Sequence, residues 1–179
     1  MDYSKYVFSR AASMQQSQIR GRRGKKGLIG IDTVNDNLNR ALKDIKNKSL
    51  LGMVEASILI RTDMDDTSPK VPIDLGNLNA SWFTTSNMGG GSDKGFKGKK
   101  AAEMAIERSA IIVEMKAVVK AQKEPTLIMG FSANYAAPVH EMVGVNFKRP
   151  GSGAKFFQSA LARNTKQIIR IMKDSVEIP

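Results

Sequence analysis

At 179 residues, with 41% hydrophobic and 25% charged residues, the chain has the size and balance of one globular domain with additions. It has no cysteine, which excludes disulfides, thiolate metal sites and a cysteine nucleophile, and fits a reducing compartment. The net charge of +11 is unevenly placed. Residues 1–30 hold seven basic groups against Asp2, which gives +6, and residues 94–123 hold eight against three glutamates, which gives +5. The rest is neutral, with 13 basic and 13 acidic residues.

The first ten residues mix polar and aromatic side chains and lack the apolar run of a signal peptide. No stretch approaches the roughly 18 apolar residues of a membrane span. The expectation is a soluble protein with no membrane partner. Residues 1–30 read as a basic N-terminal arm. Arg20, Arg22, Arg23, Lys25 and Lys26 alternate there with glycines, which raise the entropy cost of ordering. Such an arm suits a neighbouring subunit or a polyanion. It has no interleaved aromatics for base stacking.

Residues 31–179 read as a single α+β domain. Asp32 or Thr33 can cap a helix, and Val34, Leu38, Ala41, Leu42 and Ile45 follow at helical spacing. The stripe continues through Leu51, Val54 and Ile58, so one long helix is expected over 33–65, with a kink at Gly52 as an option. Asp63, Asp65 and Asp66 oppose the helix dipole at its C-terminal end, which argues for a stop near Arg61. Residues 80–86 carry Trp82, Phe83, Thr84 and Thr85 and read as a strand. Residues 88–92 read as a flexible turn or loop. Residues 94–123 form an insertion whose 99–122 portion reads as helix, with a strand near 111–115 as the alternative. Lys97, Lys99 and Lys100 are its candidate contacts to DNA or a partner. A strand at 126–131, a short segment at 135–143 and a loop at 147–153 follow. The last helix, 154–176, has Phe157, Leu161, Ile168, Ile171 and Met172 on its apolar face. The sum is a small antiparallel sheet packed on one face by a long N-terminal helix and a C-terminal helix.

The pattern offers no catalytic or cofactor chemistry. His140 is the chain's one histidine, so a two-histidine metal site is excluded. No nucleophile-elbow spacing accompanies it. A calcium loop starting at Asp63 would need glycine and glutamate where Ser68 and Asp74 stand. The glycines at 89–91 lack the Gly-Lys-Ser/Thr of a phosphate loop. No enzyme activity, cofactor or metal is expected.

Three segments carry more information. They are Val71-Pro72-Ile73-Asp74-Leu75-Gly76-Asn77-Leu78-Asn79-Ala80-Ser81, Tyr135-Ala136-Ala137-Pro138-Val139-His140-Glu141, and Gly153-Ala154-Lys155-Phe156-Phe157-Gln158-Ser159-Ala160-Leu161. Physically, Pro72 limits the chain after the long helix, Asp74 can cap a turn at Gly76-Asn77, and Leu78 anchors the strand that follows. Tyr135 offers a ring with a polar tip, and Phe156 pins the last helix. In order and content the set resembles the tail-component family of tailed phages, of the Hong Kong 97 type. Leu75, Asn79 and Phe157 depart from that family's usual threonine, arginine and leucine. The arm and the insertion lie outside the shared pattern.

The resemblance implies a structural virion subunit of the neck or tail-completion region, assembled in the host cytoplasm. It implies a homo-oligomeric ring of six or twelve copies, bounded by head-connector and tail-terminator proteins, with non-specific contact to viral DNA in the channel. Pro72, Asp74, Gly76, Leu78, Tyr135, His140, Glu141, Lys155 and Phe156 would then be structural. The net charge alone supports the alternative, a basic architectural nucleic-acid-binding protein.

Overall fold

The structure, a computed structural model, describes residues 31–92 and 94–177. The arm cations Arg20, Arg22, Arg23, Lys25 and Lys26 therefore lie outside the described residues. The protein is α+β, in the order α1 (Ile31–Asp66), α2 (Asn77–Ala80), β1 (Trp82–Ser86), β2 (Gly89–Gly91), α3 (Ala101–Ala121), β3 (Leu127–Phe131), α4 (Ala136–Glu141) and α5 (Phe156–Val176). The chain divides into two compact units, one ending at Ile45 and the other beginning at Lys46. In the first, Val34, Leu38 and Leu42 make an exposed apolar stripe at four-residue spacing.

In the second unit, the sheet order is β2-β1-β3, antiparallel throughout. Trp82 pairs with Phe131 and Ser86 with Leu127 across β1 and β3. The residues at 89–91, expected as a loop, pair with Thr84–Ser86 and complete a hairpin. The Ser86 hydroxyl pins its turn, donating to Gly89 O at 2.9 Å and accepting from Met88 N at 3.2 Å. A local side-chain bond thus orders three glycines that propensity alone would leave as coil.

Successive strand residues face opposite ways. Trp82 and Phe83 are both buried, as is Thr85. Both faces of β1 are therefore covered, where cover on one face was expected. The insertion supplies part of this burial. α3 is helical throughout, with no strand at 111–115, and lies against all three strands. Its Val119 is fully buried. The principal core gathers Ile60 and Met64 of α1, Val71, Leu78, Trp82, Ala133, Ala136, and Phe156 and Ala160 of α5. Trp82 meets Phe131 and Phe157 edge to face, with centroids 5.1 and 5.9 Å apart. Phe156 and Ala160 lead the buried side of α5, whereas Leu161 is exposed.

Thr85 Oγ1 is fully buried and finds no hydrogen-bond partner among the described residues. Valine has the same shape without that unmet demand. Thr85→Val is expected to stabilise the protein by about 1 kcal/mol, read as a raised urea midpoint at constant slope. A lowered midpoint would show that the hydroxyl is satisfied in solution.

α1 does not stop at Arg61. It runs unbroken through Gly52, which is buried against Ser175 of α5, and on to Asp66. The dipole argument fails because partners brought from far along the chain satisfy this terminus. Arg163 Nε donates to Asp63 Oδ2 at 3.1 Å, and its Nη1 to Ser68 O at 3.0 Å. Arg149 Nη2 donates to Asp65 O at 2.7 Å. Burial pushes the Asp63 carboxyl up, but hydrogen bonds from Arg163, Asn164 and Thr67 outweigh it and hold it below the ordinary 3.8. Asp63 thus stabilises the fold above that value and loses its contribution as pH falls through the lowered folded pKa.

Candidate functional site

The three sequence segments, spread over 71–161, meet in one place. Val71 and Leu78 of the first, Ala136 of the second, and Phe156 and Ala160 of the third all belong to the principal core. The Phe156 ring lies edge-on between Phe131, at 5.6 Å, and His140, at 4.9 Å. This is packing chemistry.

Gly76 begins α2 at φ 85°, a left-handed conformation that glycine adopts without a Cβ penalty. Asp74 does not cap the turn as expected. α2 has no side-chain cap, and Asp74 Oδ1 instead accepts from Lys148 Nζ at 2.6 Å. The exposed pair raises the Lys148 pKa. Asn77 does the local fastening, accepting from Lys97 N at 2.8 Å and donating to Lys97 O at 2.9 Å.

Lys155 opens α5 with φ 57°, uncommon for a residue with a side chain. Its N–H donates to His140 O at 2.7 Å, and its ammonium pairs with Glu141. The Lys155 and His140 hydrogen bonds hold the Glu141 carboxyl below its ordinary range. His140 Nδ1 lies 2.8 Å from Glu141 Oε1. Its Nε2 is buried with no hydrogen-bond partner among the described residues. At Gly153, an added Cβ would come 2.9 Å from Pro69 Cβ, so the chain passes too close for a larger residue.

Pro72, Asp74, Gly76, Leu78, Tyr135 and Val139, with Asn146, Phe147 and Lys148, line a cleft of about 370 Å³. Burial raises the Tyr135 pKa. A second cleft, of about 690 Å³, lies between the same loop and Asp65, Asn79, Lys94, Lys97 and Arg149.

Beside it is a polar cluster that sequence reasoning missed. Asn79 Nδ2 donates to Asp65 Oδ1 at 2.6 Å, while Asn79 Oδ1 accepts from Arg61 and from Lys94 at 2.8 Å. Asp65 forms ion pairs with Arg61 at 3.3 Å and Lys94 at 3.5 Å. The signal available was Asn79 itself, a polar residue between Leu78 and Ala80.

The insertion's charge is reapportioned. Lys94 serves this cluster. Arg108 Nη1 donates to Ala80 O at 2.8 Å, Ser92 Oγ at 2.9 Å and Lys94 O at 2.6 Å. Its guanidinium lies 4.6 Å from the Phe96 ring centroid. Lys97, Lys99 and Lys100 are exposed in or beside the loop that enters α3. Among the described residues, no group of three or more acidic or histidine side chains could hold a metal ion, and no helix is long and apolar enough to cross a membrane. Comparison with known proteins finds no matching family model, curated protein or solved structure.

Proposed function

We propose that the chain is a structural virion subunit of the phage neck or tail-completion region. It forms a ring of six or twelve copies that joins the head connector to the tail terminator around the DNA channel. The observation that carries this reading is the convergence of the three family-like segments on one core. Their shared residues serve packing, turn geometry and ion pairing, as a scaffold requires. In this reading the protein is not an enzyme and needs no cofactor. Rings arise from heterologous interfaces that close. Exposed Leu38, Ile58, Ile106 and Val113 supply apolar surface for such interfaces. Contact with DNA in transit would be electrostatic and blind to sequence.

The test is the native mass of the purified full chain, alone and with a connector. A discrete assembly of six or twelve copies is expected. A strict monomer in both samples would refute the ring. Tight, salt-sensitive DNA binding by that monomer would favour the architectural nucleic-acid reading instead.

A further inference from the structure

The insertion was set apart by its positive charge, yet the outward side of α3 is an apolar stripe with glutamates along one flank. Its inward positions are Met104, Arg108, Ile111, Met115 and Val119, all half-buried or buried. The spacing leaves Ile106, Ala110, Val113 and Ala117 as a stripe facing solvent. Ile106 is 72% exposed and Val113 67%, among the highest values for large apolar side chains here. Glu103, Glu107 and Glu114 flank the stripe on one side, and none forms an ion pair among the described residues. Lys116 and Lys120 lie on the other side.

We propose that this face of α3 is the docking site for residues 19–29 of the arm of a neighbouring copy. The proposal rests on the ring reading and names the arm's partner within it. The segment Ile19-Arg20-Gly21-Arg22-Arg23-Gly24-Lys25-Lys26-Gly27-Leu28-Ile29 has five cations bracketed by apolar residues. The α3 face has three free carboxylates beside an apolar stripe. The lengths match as well. Extended, Arg20 to Lys26 spans about 20 Å. Glu103 to Glu114 spans about 16 Å along a helix. The glycines between the cations let an extended chain lie close to the helix surface, and Ile19, Leu28 and Ile29 supply the apolar groups that would cover Ile106 and Val113.

The absence of native cysteine makes the contact directly testable in the full chain. Gly24→Cys and Val113→Cys variants are prepared separately, one isotopically labelled, then mixed and oxidised. Mass spectrometry counts disulfides between copies. The control pairs Gly24→Cys with Lys166→Cys, an exposed position on α5. The expected result is a rate for the Gly24–Val113 pair at least about fivefold above the control, lost when Glu103, Glu107 and Glu114 are all changed to Gln. Equal rates would overturn the proposal, and an arm engaged only by DNA would give that result. So would an excess that survives the glutamate changes. Native mass on the same samples separates the two readings. A ring without the cross-link refutes only the arm contact, whereas the cross-link without a ring refutes only the ring.

Discussion

Phe156→Ala is expected to cost about 3–5 kcal/mol, as a large aromatic removed from a packed core does. Phe156 is 1% exposed. Its ring touches Phe131 from the sheet and His140 from α4, while its own helix begins at that residue. The truncation would therefore loosen three elements together, because the cavity opens where they join. Leu161→Ala, one turn on and 36% exposed, should cost under about 1 kcal/mol. Urea unfolding of both variants gives the comparison. Similar losses for the two would mean that Phe156 is not the centre of the core.

The second large effect is expected at Asp65. Its carboxylate accepts from Asn79 and forms ion pairs with Arg61 and Lys94, and its side chain is only 26% exposed. Asp65→Ala leaves a guanidinium and an ammonium near each other without their counter-charge, and an amide without its acceptor. A loss of about 2–3 kcal/mol follows, below the range for fully buried pairs because Lys94 is 45% exposed. Asp65→Asn keeps an acceptor and should lose less. A double-mutant cycle of Asp65→Ala with Asn79→Ala should show coupling above about 0.5 kcal/mol. Strict additivity would mean that the cluster does not act as a unit.

These two residues differ in how legible they were. Phe156 stood out because an aromatic at the start of an amphipathic helix has few other uses. The α+β class, the long first helix, both paired strands at 82–86 and 127–131, and the last helix followed from periodicity and propensity. By sequence alone, Asp65 is an acid at an unfavourable helix end. Its meaning depends on Asn79 and Lys94, 14 and 29 residues away, and on Arg149 capping the same turn from farther still. Local rules do not contain that information. The same holds for β2, whose order comes from the Ser86 hydroxyl, and for Arg108, counted as surface charge while its guanidinium fastens Ala80 to Ser92. The arm cations are legible as a cluster.

The sheet has one more consequence. β2 and β3 are its outer strands. An outer strand offers unpaired backbone groups to any chain that approaches. On β2 that offer is weak, because three glycines provide hydrogen bonds without side chains to bury, and an added strand would gain little beyond them. On β3, Leu127, Ile128 and Met129 would reward the same encounter. Copies of the chain that meet at high concentration therefore have one edge at which accidental strand pairing gains little and one at which it gains more. The glycine hairpin that propensity would have left as coil has almost nothing to offer an added strand.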